Sequence, residues 1–337
     1  MIKEYLKLSR FFNMGLTGVA PILGALAMWN VGSTSLPQIL ILFIIGCLSH
    51  VYGFVLNDVI DVGIDKLSEE LSPRPLVSGT ITKKQATYFA FGAMFLSWIF
   101  ALFFYRNLRS MAIILSILIF ADALSTVYNY ISKKYPGMDI FVASAVFFLI
   151  IFGGATVSTE KLFSTPILWI VAFIGGIQVI FMNMVNGAIK DIDHDAKGGG
   201  RTLAIKLGAT VKDGKMFMPK SFMAIGYLIE GLRTALVFLP FLLLPDRFPF
   251  VTWQIVLLII LTILTFYWIY RLFTVGEFIR KKVRVNIGII VIFMYASAPV
   301  MMYSLNPYIM LTALVPPLWF ICGNTVLHKS AFEAKTM

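Results

Sequence analysis

Apolar residues fall in long unbroken blocks, and polar residues gather in the short intervals between them. The hydrocarbon core of a bilayer takes about 20 apolar residues per helix. A window of that length predicts ten spans, at 11–30, 37–57, 86–105, 110–130, 139–158, 166–189, 221–244, 251–271, 284–304 and 308–327. Pro316-Pro317 interrupts the tenth, which membrane helices tolerate where neighbours satisfy the freed carbonyls. Composition agrees, with 59% hydrophobic and 13% charged among 337 residues. A soluble domain carries about a quarter charged residues. So few charges cannot cover a soluble globule, and the same numbers exclude a disordered chain. Cys47 and Cys322 lie within apolar runs and offer neither a disulfide framework nor a CxxC metal site.

Charge gives the spans a direction. When the loops are numbered alternately from an inside N-terminus, 23 of the 28 Lys and Arg residues fall inside and four outside, with Arg233 in a span. The positive-inside rule then predicts a multi-pass protein of the cell membrane with both termini cytoplasmic, which requires an even number of spans. The first apolar run is long for the core of a cleavable signal peptide, so it is expected to remain. The net charge of +11 fits a basic cytoplasmic face against anionic headgroups. No nucleic-acid partner is expected.

Two inside intervals hold six of the seventeen acidic residues. The first is Asn57-Asp58-Val59-Ile60-Asp61-Val62-Gly63-Ile64-Asp65, after span two. The second is Asn186-Gly187-Ala188-Ile189-Lys190-Asp191-Ile192-Asp193-His194-Asp195, after span six. On a helix, Asn57, Asp61 and Asp65 share one stripe, as do Asp58, Asp61 and Asp65. Asp191 and Asp195 are likewise one turn apart, with Asp193 pointing away. Like charges this close repel unless a cation sits between them, and hard oxygen ligands suit Mg²⁺, which keeps waters and bridges to phosphates. Solvated acids at helix ends are the plainer alternative, but they need no matched spacing on one face.

Cations accompany both motifs. Arg74 lies in Ser72-Pro73-Arg74-Pro75, where two prolines stiffen the backbone. Tyr130 and Lys134 are i, i+4 at the end of span four, Lys190 precedes Asp191, and Arg10 ends the first inside segment. A diphosphate needs cations of this kind. Gly198-Gly199-Gly200-Arg201-Thr202 lacks the Lys-Ser/Thr ending of a phosphate loop and reads as a turn. Within the spans, Glu230 and Arg233 are i, i+3 and pair most simply with each other. Asn183 and Asn186 precede Lys190 on one face, and Asp122 is a functional candidate because intramembrane acids are costly.

These motifs resemble those of the UbiA superfamily of intramembrane prenyltransferases. Asn57 to Asp65 match its NDxxDxxxD motif after span two, and Asp191 with Asp195 match its DxxxD after span six. Gly199 and Thr202-Leu203, Tyr130–Lys134 as its YxxxK, and Arg74-Pro75 are similar to further elements. The Arg10…Asn13 start resembles the ether-lipid branch, although the usual Pro after the Arg is Phe11 here. The resemblance implies an all-α integral membrane protein, a UbiA-like bundle of nine transmembrane helices plus a tenth C-terminal span. Residues 1–305 would form the bundle, with cytoplasmic cap loops at 58–85 and 190–220. Residues 306–337 would be an added span and a short cytoplasmic tail.

The implied activity is Mg²⁺-dependent transfer of a polyprenyl group from its diphosphate to a lipophilic acceptor through an allylic cation. The acceptor is an aromatic or quinone precursor or a glycerol ether lipid phosphate. Asn57, Asp58, Asp61, Asp65, Asp191 and Asp195 would hold the metal, with Asp61, Asp65, Asp191 and Asp195 catalytic. Arg10, Arg74, Tyr130, Lys134 and Lys190 would bind diphosphate, and Asn13, Asp122 and Asn186 would line the acceptor site. An ion-coupled transporter is the alternative, since Asp122, Glu230 and Arg233 lie within spans. It would place its acids near midplane, whereas these clusters sit at the membrane edge. Oligomeric state is left open.

Overall fold

The computed structural model describes residues 1–66, 71–197, 199, 201–246 and 248–330, and only the backbone of residues 194, 196 and 197. Its helices are α1 (Ile2–Leu8), α2 (Met14–Ala27), α3 (Leu36–Asp65), α4 (Lys83–Ala101), α5 (Leu108–Ile131), α6 (Asp139–Val157) and α7 (Pro166–Ile180). After them come α8 (Ala188–Lys190), α9 (Ile192–Lys197), α10 (Leu203–Lys206), α11 (Lys220–Leu243), α12 (Thr252–Phe273), α13 (Arg280–Met301) and α14 (Val315–His328). Among the described residues nine helices are long and apolar enough to cross a membrane, and Phe11–Ala27 is a shorter apolar one. All ten expected spans are therefore helical, the first being shorter than its apolar run. In hydrocarbon, backbone polar groups must be satisfied within the segment, so apolar runs of this length become helices.

Several ends are set by local chemistry. Ser35 opens α3 by donating its backbone N–H to Gln38 Oε1 (2.8 Å), and Pro37 lies in the first turn. Thr82 and Gln85 repeat the device at α4 (2.9 Å). Between them α3 runs for 30 residues, so Asn57–Asp65 extend the second span as helix. That first stretch of the expected cap loop at 58–85 is a rigid continuation.

The chain divides into two compact units. The first holds Met1–Tyr130, Ala145–Leu168 and the described part of Leu314–Met337. Its core joins Val51, Val55 and Val59 of α3 to Ala86, Ala90 and Ala93 of α4, small residues that let helices approach closely. Gly24 of α2 and Gly153 of α6 do the same, since a Cβ at either would run into the carbonyl of Ile150 or Pro21. Arg106 donates to the carbonyls of Thr156 and Val157 and so closes the end of α6 (3.1 and 2.7 Å). The tenth span packs within this unit, on α2 and the 3-10 turn Phe11–Asn13.

The second unit holds Ile131–Ser144 and Trp169–Ala313. Phe181, Val185 and Ile189 pack with Phe222 of α11, Ile269 of α12 and Ile290 of α13. A hairpin of β1 (Thr210–Lys212) and β2 (Lys215–Phe217) turns through Asp213-Gly214, both left-handed, as a two-residue hairpin loop prefers. Gln254 Nε2 donates to the carbonyls of Val300 and Met301 (both 2.9 Å), which the end of a helix leaves open. Glu230 and Arg233 form a bidentate pair (2.8 and 2.6 Å) within α11, and Arg233 Nη1 also donates to Ser297 Oγ (2.7 Å). Both are buried, so removing one charge leaves the other unmatched. Arg233→Met should cost about 3–5 kcal/mol, seen as a lower unfolding midpoint in detergent. Arg233→Met with Glu230→Leu should recover most of it.

Candidate active site

The first motif occupies the last turns of α3. Asp58, Asp61 and Asp65 are 6%, 7% and 7% exposed, while Asn57 is half-buried. Solvated acids at a helix end would not be so enclosed, and buried carboxylates require partners. Arg10 Nη2 donates to Asp58 Oδ1 at 2.7 Å, and Arg74 Nη1 to Asp65 Oδ2 at 2.8 Å. Arg74 also lies 3.7 Å from Asp58. Arg74 is carried on a tight loop whose following residues, Leu76 and Ile81, are anchored in the core of the first unit. The Arg10 guanidinium stands 4.9 Å over the Phe54 ring, a cation–π contact from one turn earlier in α3. His50, its ring tilted against Phe54 with centroids 4.2 Å apart, shares a hydrogen bond with Thr17 (3.1 Å).

Arg10 and Arg74 thus face Asp58 and Asp65 directly. Among the described residues no three His, Cys, Asp or Glu side chains form a closed metal-holding group. Mg²⁺ seldom needs one: it takes one or two carboxylates and completes its shell with water and phosphate. An all-oxygen, buried donor set at the end of α3 fits that cation.

The second motif is built differently. From α7 the helix continues as a π-helical segment, Phe181–Gly187, then α8, and breaks at Asp191 (φ −108°) before α9. π segments recur at functional sites. The Asp195 N–H donates to the Asp191 carbonyl at 2.8 Å, so the two aspartates stay one turn apart across the break. The Asp191 side chain is 42% exposed, with Lys190 Nζ at 3.4 Å. Asp193, expected to point away from these aspartates, meets Arg280 of α13 at 2.5 Å. Asn186 is buried at 2% exposure, and among the described residues neither of its amide atoms has a hydrogen-bond partner.

Other candidates are more scattered. Tyr130 is exposed at the end of α5, and Lys134 sits beyond that helix in an exposed turn. Pro136 and Gly137 (φ +81°) follow closely, so the helical i, i+4 relation assumed for this pair is absent. Asn129 instead ties α5 to α3 by donating to the Gly53 carbonyl (3.1 Å). Asp122 is buried and accepts from Trp98 Nε1 of α4 (2.8 Å), a link between helices. Asn13 is half-buried at the start of α2. Gly198 and Gly200 lie outside the described residues.

The sequence reading missed Arg280, Trp98 and Phe54. Arg280 starts a basic run that looks like any membrane anchor. Arg280→Ala should speed amide hydrogen exchange over Ile192–Lys197 without changing exchange in α12, because the contact pins α9 to α13.

The fold is that of a nearly all-helical integral membrane protein. The chain matches the model of the UbiA prenyltransferase family over residues 18–227. It belongs to that family and is an intramembrane prenyltransferase. It is 29% identical over 234 residues to the digeranylgeranylglyceryl phosphate synthase of Methanococcus aeolicus, covering 68% of this chain and 74% of that one. The 4-hydroxybenzoate octaprenyltransferase of Citrobacter koseri is 31% identical over 192 residues, 54% of this chain and 60% of that one. Among solved structures, a digeranylgeranylglyceryl phosphate synthase superposes with TM-score 0.61 at 21% identity, covering 93% of this chain and 99% of that one. A UbiA homologue from Archaeoglobus fulgidus bound to GPP and Mg²⁺ gives 0.59 at 18% identity, over 88% and 99%.

Proposed function

We propose that this prenyltransferase moves a polyprenyl group from its diphosphate to a glycerol ether lipid phosphate, with Mg²⁺ as cofactor. The observation that carries the reading is the buried stripe of Asp58, Asp61 and Asp65 with Arg10 and Arg74 against it. Asn57 and the four aspartates Asp61, Asp65, Asp191 and Asp195, with Asp58, are the residues assigned to the metal. Mg²⁺, when bound, supplies positive charge toward the leaving diphosphate. The A. fulgidus homologue bound to GPP and Mg²⁺ supports that assignment.

Arg10, Arg74, Tyr130, Lys134 and Lys190 are assigned to the diphosphate oxygens. The allylic C–O bond breaks, its electron pair leaves with the diphosphate, and these side chains stabilise the growing negative charge. The allylic cation survives only where water is excluded, which apolar spans favour. The acceptor hydroxyl oxygen then closes the new C–O bond, and its proton passes to the released diphosphate. Asn186 is assigned to the acceptor headgroup, supported by its buried, unbonded amide. Asn13 and Asp122 are the further acceptor candidates, Asp122 already carrying the Trp98 bond.

The acceptor assignment rests on charge as well. An aromatic carboxylate entering the spans needs a cation there, and Arg233 is saturated by Glu230, Ser297 and the Met294 carbonyl. A lipid phosphate keeps its charge at the membrane edge. The M. aeolicus relative, named for a glyceryl phosphate product, supports this choice. The bundle is assigned to residues 1–305, and both motifs and both termini are assigned to the cytoplasmic side, a reading the basic loops support.

The test is transfer of labelled geranylgeranyl diphosphate to a panel of acceptors by the purified protein in detergent. Asp61→Asn and Asp191→Asn should each lower Mg²⁺-dependent transfer by at least about a hundredfold with an unchanged unfolding midpoint. Full activity in both variants would remove the site assignment. Transfer to 4-hydroxybenzoate but not to geranylgeranylglyceryl phosphate would remove the acceptor assignment.

A further inference from the structure

Arg10 has a backbone that its residue type disfavours. At φ 48° and ψ 45° it is left-handed, between α1 and the 3-10 turn Phe11–Asn13. Residues other than glycine keep that conformation only where their surroundings impose it. The turn after Arg10 is gripped from the other end of the chain. Trp319 of α14 donates its indole N–H to the Phe11 carbonyl at 2.7 Å, across 308 positions of sequence. Its ring packs on Phe11 and Phe43, with centroids at 5.0 and 5.2 Å. Phe12, wholly buried, meets Phe320 and His328 of the same helix. The fit is close: a Cβ at Gly323 would strike the Phe12 backbone, and one at Gly15 would strike Trp319.

We infer that Trp319 is a positioning residue for the diphosphate site. By holding the Phe11 carbonyl, α14 fixes the turn that points the Arg10 guanidinium at Asp58 (2.7 Å). The tenth span thus acts on the reaction through Arg10 without touching substrate. The inference rests on the reading of Arg10 as a diphosphate ligand. It also gives the segment beyond residue 305 a task that neither its apolar character nor the family motifs suggest.

The experiment is a double-mutant cycle on the full chain, read as KM for the prenyl diphosphate, kcat and unfolding midpoint. Trp319→Phe keeps an aromatic ring and loses the donor. It should raise KM about fivefold, as loss of one ordinary hydrogen bond does, with kcat and the midpoint nearly unchanged. Arg10→Lys should raise KM at least as much, and the double variant should add little to it, because both act through one guanidinium. If Trp319→Phe does not accumulate as folded protein, Gly323→Ala, which presses on the Phe12 backbone from the same helix, replaces it with the same readouts. An unchanged KM in the α14 variant, or additive effects, overturns the positioning role while leaving Arg10 as a ligand. An equal fall in kcat and midpoint overturns it too, since that is general destabilisation. An unchanged KM in Arg10→Lys removes Arg10 from the diphosphate site, and the inference with it.

Discussion

Three carboxylates enclosed at the end of a membrane-length helix are the constraint around which the first unit is organised. Burial removes the water that would hold their charge, so countercharge must come from the protein or from a ligand. Arg10 and Arg74 supply part of it, from opposite sides in sequence: one precedes the first apolar helix, the other follows the stripe by less than ten residues. Each guanidinium must be carried on a backbone that cannot wander. Arg74 rides a loop pinned by Leu76 and Ile81, and Arg10 sits in a left-handed turn packed under α14. A stripe of carboxylate oxygens suits a divalent cation, and such a cation would allow an anionic substrate to approach acids at all.

The second motif meets the same electrostatic problem by another route. Asp191 is half open, and its neighbourhood is ordered by breaking the helix and by a contact from α13 to Asp193. Open acids interact through water and hold counterions loosely. The first motif therefore resembles a fixed anionic seat and the second an adaptable one.

Much of this was legible in the sequence, for physical reasons that apply residue by residue. The ten spans could be read because lipid leaves an apolar run no alternative to the helix. The Asp58–Asp61–Asp65 stripe could be read because Ser35 and Gln38 start a helix that nothing interrupts before Asp65, so ideal periodicity holds. Periodicity failed where the helix ended or changed its pitch. Tyr130 and Lys134 have the right spacing, but α5 stops at Ile131 ahead of Pro136-Gly137, and spacing measured past a helix end carries no direction. Asp193 is expected to point away from Asp191 and Asp195, and its partner, Arg280 of α13, lies 87 positions away, where spacing gives no signal. Partners distant in sequence, such as Trp98 for Asp122 and Trp319 for Phe11, leave no local signature, since nothing at either position marks the other.

The match to the family model begins at residue 18 and ends at residue 227, so Arg10 and α14 both lie beyond it. Yet α14 holds the turn that follows Arg10, and Arg10 meets Asp58, which lies well inside it. A helix that only filled space in the membrane would present interchangeable aliphatic side chains to its neighbours, because lipid tails are as apolar as Leu and reward no particular shape. Instead α14 meets the Phe11–Asn13 turn through an indole donor, a carbonyl acceptor and a glycine at the closest approach. Such a contact tolerates few substitutions and fixes one backbone geometry. Its specificity is spent on the two residues that follow Arg10, where a small rotation of the backbone would swing a long cationic side chain away from the carboxylates.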